Sequence, residues 1–344
     1  MERKKYLIVL AAGKGSRMES LDETYSKVAY PILDKPLVNY VLDAAKPLGF
    51  EKSFVVVGFG GEQTVKCVDG QAEIVWQKEV NGTGGAAIEV MKSLEKEDDG
   101  DVIILCGDTP LLTTETLNKI YHKHFKFDNK LTICSTVLAN PEGYGRVVRE
   151  KGSYRVLEVI PYAEIESEEQ KELSEINSGI YMVNLKLLKE YLPKLSKDNK
   201  KHEYYLSDIV KKMSDDGHKV DAYVLEDPQD IYNINDRVQL AYAAKILKRR
   251  INHRLMLSGV SIEDPETTYI SPNVIIGKDT VIKANTCILG NCEIGVANVI
   301  GPGTNIKHVK MGNRNHVPHC YFRSCEIGDG IHFEPFTVKR FEKC

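Results

Sequence analysis

The residues with chemical potential begin in a single turn. Gly13 and Gly15 flank Lys14, Arg17 follows, and Lys27 is a third cation shortly downstream. Two glycines let the backbone turn sharply and aim its N–H groups at a ligand, and the cations add positive charge. The stretch 10–18 therefore reads as a cradle for an anion. It lacks the Gly-Lys-Ser/Thr ending of a P-loop and the third glycine of a dinucleotide-binding fingerprint, which argues against an ordinary P-loop ATPase and against an NAD enzyme. The plainer alternative is a strand-turn-helix corner with solvated charges.

Three further groups have the right residue types. Gln77 precedes Asn81-Gly82-Thr83-Gly84-Gly85, a glycine-rich turn entering a helix whose first N–H groups are free for a ligand; the alternative is a helix N-cap by Thr83. In Cys106-Gly107-Asp108-Thr109-Pro110 an aspartate ends a buried strand after a glycine that permits close approach, a position suited to holding Mg²⁺ between phosphates. Its alternative is a cap or Asx turn before the next helix. In Asn233-Ile234-Asn235-Asp236-Arg237 an amide or carboxylate could complete a metal site or cap a long helix.

Positioning these groups requires a sheet. Residues 4–12 read as a buried strand because Tyr6 to Leu10 form an uninterrupted apolar run, and residues 36–46 carry apolar positions at helical spacing. Strands are expected at 53–57, 73–76, 102–106 and 131–137, with helices at 62–68, 83–94 and 114–125 between them. Such alternation implies parallel strands joined by helical crossovers, with ligands bound at the carboxyl ends of the strands. From 146 the pattern changes to short strands at 146–149, 156–160 and 178–183 with one acidic helix at 166–173, as in a lobe inserted on the main sheet. Helices are expected at 206–213 and 236–257.

The strongest periodic signal lies in the last third. Ile270, Ile276, Ile282, Ile288, Ile294, Ile300 and Ile306 recur every sixth residue, and the register slips and resumes at Met311 and Val317, then at Ile327 and Phe333. A hexapeptide period gives one flat side per repeat and three sides per coil, so the isoleucines stack as an inner column of a parallel β-helix. The seven-residue period of a coiled coil is not met. The expected layout is a first domain over 1–235, a linker helix over 236–258 and a β-helix over 259–344.

The chain has 344 residues, formal net charge -3, 28% charged and 42% hydrophobic residues. That is long enough for two domains, and the charge balance gives no support to a nucleic-acid partner. The apolar run near the start is too short to span a bilayer, and no membrane or export segment is expected. Eight scattered cysteines without a Cys-x-x-C pair suggest reduced thiols in a cytoplasmic protein. Cys344 lacks the residues of a prenylation box, and residues 341–344 do not resemble an expression tag.

Taken in order, these motifs resemble those of bacterial N-acetylglucosamine-1-phosphate uridyltransferases, the bifunctional enzymes that make UDP-N-acetylglucosamine. The resemblance is carried by the 10–18 loop, Lys27-Val28, Gln77, Gly82-Thr83-Gly84, Gly107-Asp108-Thr109-Pro110-Leu111, Gly143-Tyr144-Gly145-Arg146, the run from Glu175 to Tyr181, that from Glu203 to Asp208, and Asn235-Asp236-Arg237. It spans residues 4 to about 335, the hexapeptide repeats included. It implies a Rossmann-like α/β nucleotidyltransferase domain with a mostly parallel sheet, followed by a short left-handed β-helix. Leu10, Ala12, Gly13, Gln77 and Gly82 would hold the uracil end of UTP, with Thr83 nearby. Arg17 and Lys27 would neutralise the triphosphate and the charge growing at the α-phosphorus, and Asp108 and Asn235 would hold Mg²⁺. Gly145, Asn177, Tyr205 and Ser207 would line the pocket for N-acetylglucosamine 1-phosphate. Side-by-side assembly of three β-helices is the expected oligomer, with a monomer as the alternative.

Departures from the family pattern bear on specificity. Pro161 stands where the family has a sugar-binding glutamate, so either Glu164 reaches in from the neighbouring loop or sugar selectivity differs; Cys106 replaces a common tyrosine, and Gly85 a common histidine. The family's acetyltransferase motifs lie beyond the point where this sequence stops, and His308, His316, His319 and His332 read as turn or surface residues, so no acetyl transfer is expected. Rival readings are a nucleotidyltransferase for another NTP or sugar 1-phosphate, and a non-catalytic regulatory or scaffold subunit. Retention of Arg17, Lys27, Asp108 and Asn235 together favours an enzyme.

Overall fold

A computed structural model describes residues 3–22, 25–58 and 60–341; residues 342–344, with Cys344, lie outside the described residues. Two compact units divide the chain, one of Met1–Tyr30 and Leu37–Arg237, the other of Pro31–Pro36 and Val238–Cys344. Among the described residues no helix is long and apolar enough to cross a membrane.

In the first unit the strands are β1 (Lys5–Ala11), β2 (Lys52–Val57), β3 (Glu73–Trp76), β4 (Asp101–Cys106), β5 (Leu131–Val137), β6 (Arg146–Arg149), β7 (Val156–Ile160), β8 (Glu175–Asn184) and β9 (Val220–Leu225). Helices α1 (Leu37–Ala45), α2 (Gly61–Val68), α3 (Thr83–Met91), α4 (Thr114–Lys126), α5 (Glu168–Glu172), α6 (Leu185–Tyr191) and α7 (Asp208–Asp215) connect them, and α8 (Arg237–Leu257) follows. Among the described residues the sheet runs β9-β5-β8-β4-β1-β2-β3, with β6 and β7 attached beside β8. β1 pairs in parallel with both β2 and β4, and β9 with β5. The faces of β1 explain its central place: Tyr6 and Ile8 enter one buried cluster, Leu7 and Val9 the other. A strand buried on both faces reads as a continuous apolar run.

The mostly parallel sheet agrees with the sequence reading, while β8 corrects it. Residues 178–183 do not belong to an inserted lobe; Glu175–Asn184 is one long strand antiparallel to both β4 and β5. Ile180 and Met182 pack into one cluster and Tyr181 and Val183 into the other, so the segment is covered on both sides like a central strand. Only β6 and β7 form the side hairpin, touching β8 through Arg146 and Ile176. β9 and α6 were not anticipated.

The second unit is a parallel β-helix. Three inner columns run Ile262–Ile282–Ile300–Val317, Ile270–Ile288–Ile306–Phe322 and Ile276–Ile294–Met311–Ile327, each paired in parallel from coil to coil and each buried. The spacing of six ends at Ile306, and Met311, Phe322 and Ile327 each come one residue early, so Phe322 falls outside a period of six. His308 and His319 sit at turns with positive φ, whereas His316 lies in a strand and bridges to His332 in the next coil. The Pro31–Pro36 hairpin belongs with this unit, where Asp34 Oδ1 pairs with Lys307 Nζ at 2.6 Å.

Candidate functional site

The site lies in the first unit, at the carboxyl ends of β1 and β4. These ends are in register, Leu10 opposite Cys106, and Gly107 N donates to Leu10 O at 2.9 Å. The glycine-rich loop and Asp108 therefore leave the sheet side by side. Gly15 has φ 63, and a Cβ there would lie 2.7 Å from Lys27 Cβ; only glycine lets this turn close over the lysine. Arg17 follows in a 3-10 turn, Ser16–Met18. It is exposed and makes no ion pair or hydrogen bond among the described residues. The loop is tied down from behind, because Arg237 Nε donates to Met18 O at 3.0 Å.

Lys27 is the junction. Its Nζ stands 2.5 Å from Asp108 Oδ2 and 3.0 Å from Asn235 Oδ1, with both partners of the ion pair mostly shielded (11% and 17% exposed side chains). The other aspartate oxygen is held too: Asn233 Nδ2 donates to Asp108 Oδ1 at 3.0 Å, and Ile234 N to Asp108 O at 3.0 Å. Segment 233–235 thus docks along Asp108 like a short extra strand. Its base is fixed by Asp230, whose Oδ2 accepts from Thr113 Oγ1 at 2.9 Å and Thr116 Oγ1 at 2.5 Å at the start of α4. Since α4 is capped by Thr113, Asp108 is not the helix cap considered as its alternative role. The Asn233 and Asn235 side chains likewise turn to Asp108 and Lys27.

Asp108 and Asn235 present oxygens to one cationic point, occupied by the Lys27 ammonium. Mg²⁺ takes hard oxygen donors, one or two from protein and the rest from phosphates and water, so these two residues fit the ion. Among the described residues no three His, Cys, Asp or Glu side chains gather as a closed metal cage.

Beside this junction stands the glycine turn at the start of α3. Both Ala12 and Val80 pack against Gly58, where a Cβ would lie 2.7 Å from Ala12 O and 3.2 Å from Val80 Cγ2. Gln77 is buried; its N donates to Val57 O, and its Nε2 donates to Asn81 Oδ1 at 2.9 Å and Gly82 O at 3.1 Å. Gly82 has φ 103 and lies so close to the chain at 203–204 that a Cβ would fall 2.5 Å from Tyr204 O. Gly82, not Thr83, is the N-cap, and no side chain caps the helix. The Thr83 hydroxyl accepts from Leu206 N at 3.1 Å instead, Gly84 N donates to Tyr204 O and Tyr204 N to Asn81 O. The turn is therefore a clamp on the segment that carries Tyr205 and Ser207.

The remaining expected residues gather around β8. Asn177 N donates to Gly145 O at 3.0 Å, and Gly145 faces Ile160 O and Pro161. Asn177 Nδ2 donates to the Tyr181 hydroxyl at 2.7 Å and its Oδ1 accepts from Gly179 N at 3.2 Å. Cys106 Sγ packs on Gly179, and burial, with the Asp108 charge adding to it, pushes this thiol up to about 12. It is no nucleophile at neutral pH.

Pro161 opens a short turn, Tyr162–Glu164, and Glu164 N donates to Pro161 O. The Glu164 carboxylate turns back, accepting from Lys200 N at 3.0 Å. A cavity of about 330 Å³ is lined by Ile160, Pro161, Glu164, Asp208 and Lys212 among others. Burial, then the Glu164 charge, raises the Tyr205 phenol to about 12, and its oxygen is buried. Burial also raises Asp208 to about 6, opposed by Lys212 and reinforced by Glu164. Ser207 is buried at the start of α7.

Asn81, Asp230 and Asn233 were missed as contributors. Asn81 and Asn233 lie inside motifs marked for other residues, whereas Asp230 lies outside every marked motif.

A family profile described as a MobA-like NTP transferase domain matches residues 7–173. The bifunctional protein GlmU of Geobacillus sp. (strain WCH70) is 40% identical over 334 residues, which cover 97% of this chain and 72% of that protein. The protein of the same name from Carboxydothermus hydrogenoformans is 38% identical over 97% of this chain and 73% of its own length, and that from Listeria welshimeri 37% identical over 98% and 73%.

Proposed function

Since the chain belongs to the family of the bifunctional protein GlmU, we propose that this nucleotidyltransferase is a uridylyltransferase joining UTP and N-acetylglucosamine 1-phosphate. The observation that carries the reading is the junction of Lys27, Asp108 and Asn235 beside a glycine-rich anion loop at the carboxyl end of a parallel sheet. Nucleotidyl transfer asks for positioning and charge neutralisation more than for an acid or base. A sugar phosphate is already ionised near neutral pH, and the chemistry fits a site of cations and oxygen donors.

In this reading Leu10, Ala12, Gly13, Gln77, Gly82 and Thr83 hold the base end of UTP. Lys27 leaves its pairing with Asp108 for the triphosphate, and Arg17, exposed on its turn, closes on the pyrophosphate that departs. Asp108 and Asn235 hold Mg²⁺, which when bound neutralises phosphate charge. A phosphate oxygen of the sugar attacks the α-phosphorus in line, the bond from that phosphorus to the β-phosphate oxygen breaks, and pyrophosphate leaves. Gly145, Asn177, Tyr205 and Ser207 line the sugar side. Pro161 keeps a second reading in play, in which another sugar 1-phosphate is preferred; the placement of Glu164 beside Tyr205 and Asp208 supports an acidic group still serving that pocket. The proposal includes a cytoplasmic location and a homotrimer through the β-helix, with light scattering to distinguish the trimer from a monomer.

Incubating the protein with Mg²⁺, each NTP and each sugar 1-phosphate, and measuring pyrophosphate, tests the proposal. Fastest release is expected from UTP with N-acetylglucosamine 1-phosphate. Preference for glucose 1-phosphate would favour the second reading, and silence with every pair would leave a non-catalytic subunit.

A further inference from the structure

Resting on the reading of Gln77 as a base-contacting residue, we infer that Asn81 and Gly85 act as one device that fixes which face of the Gln77 amide meets the base. The buried Gln77 Nε2 donates to two oxygens, Asn81 Oδ1 and Gly82 O. Gly82 O is a backbone carbonyl and can only accept, so the nitrogen must lie on that side, and flipping the amide would set Oε1 against Gly82 O. Both amide hydrogens are then used inside the protein. Oε1 is the remaining polar atom of Gln77, and it makes no hydrogen bond among the described residues.

A lone acceptor selects for a donor. Uracil carries its donor, N3–H, at the centre of its pairing edge, whereas cytosine has an unprotonated N3 there and its only donor on that edge is the displaced 4-amino group, so an acceptor placed for N3–H meets an acceptor in cytosine. The orientation of Gln77 thus favours UTP over CTP, and Asn81 maintains that orientation. Asn81 is itself fixed, since its O accepts from Tyr204 N at 2.7 Å. Its side chain fits only because position 85 is glycine: a Cβ there would overlap Asn81 Oδ1 and lie 2.8 Å from Asn81 Cγ and 3.1 Å from Gln77 Nε2. Gly85 has ordinary helical backbone within α3, so the requirement is for space rather than for an unusual dihedral angle.

Asn81 is a positioning residue, and its test needs a readout that loss of packing would not move. The ratio of kcat/KM for UTP to that for CTP is that readout, with N3-methyl-UTP as a probe in which the ring N–H is replaced. Asn81→Ala should raise the UTP KM and lower the UTP:CTP ratio by about tenfold, the worth of a net hydrogen bond, with kcat and Tm little changed. Asn81→Asp, which still accepts from Gln77, should keep the ratio. Gly85→Ala should reproduce the Asn81→Ala phenotype and add little to it in the double variant. An unchanged ratio in a folded Asn81→Ala protein, or equal use of UTP and N3-methyl-UTP by the wild type, overturns the inference. Failure of the wild type to turn over any NTP would instead overturn the function on which it rests.

Discussion

The two ends of the site are built on opposite electrostatic plans. At the end proposed for the phosphates, Lys27, Asp108, Asn233 and Asn235 satisfy one another through short bonds between charged or strongly polar partners. At the end proposed for the sugar, burial dominates, raising the Tyr205 phenol to about 12 and the Asp208 carboxyl to about 6. The first plan pre-assembles charge that a polyphosphate can exchange into, so losing one member leaves the others uncompensated. The second gathers weakly solvated polar groups whose protonation is sensitive to surroundings, which suits discrimination between neutral hydroxyl and amide patterns. Substitutions at the two ends should therefore fail differently.

The largest effect is expected at Asp108. Asp108→Ala should lower turnover by roughly 10²–10³-fold, the range for removing one electrostatic contact to a reacting centre, while circular dichroism and Tm stay near wild type. Near-normal activity would remove Asp108 from the metal role. Next come the residues on either side of its carboxylate. Asn235→Ala and Asn233→Ala should raise the Mg²⁺ concentration for half-maximal rate by about 10–100-fold, as for groups that bind or orient a metal ligand, and Mn²⁺ titration followed by electron paramagnetic resonance should show the same weakening without turnover. If Asn233→Ala binds Mn²⁺ as wild type does, its bond to Asp108 is structural only.

Smaller effects are expected at the end proposed for the sugar. Asp208 is raised from the ordinary carboxylate range to about 6, so the folded state favours its protonated form. Its contribution to stability is present below the unfolded value and is lost as pH rises through about 6. Asp208→Asn should therefore be more stable than wild type at pH 8, by about 1–2 kcal/mol after discounting for partial solvent access, and the gap should close below about pH 4. A gap independent of pH would show that burial is not what shifts the group. The smallest effect lies away from both ends. Hydrogen bonds from Lys4, Lys52 and Tyr6 hold Glu97 down at about 2, so its stabilisation is present above the usual carboxylate range and lost as pH falls through about 2. Glu97→Gln should flatten the acid arm of the Tm profile without changing turnover.

Much of the fold could be read locally. β1 announces itself because both its faces are buried and Tyr6 to Ala11 are all apolar, and the isoleucine columns because a coil repeats its geometry. β8 could not be placed that way: its apolar run fits any central strand, and its antiparallel direction is set by pairing with β4 and β5. Phe322 hid because two of the sides that precede it in the β-helix are one residue short. The same division holds for the site. The glycines and cations of 10–18 advertise an anion loop, and Asp108 follows a buried strand. The partners that hold them do not, since Asn233 meets Asp108 across more than a hundred residues of chain and the Thr83 hydroxyl bonds Leu206 rather than its own helix. Such contacts follow from topology, which side-chain type and spacing do not encode.

The most direct test follows the phosphorus. With UTP radiolabelled at the α-phosphate, N-acetylglucosamine 1-phosphate and Mg²⁺, the label should appear in UDP-N-acetylglucosamine while the released pyrophosphate is unlabelled. Label remaining in UTP under every sugar phosphate tried, or released with pyrophosphate, would contradict uridylyl transfer.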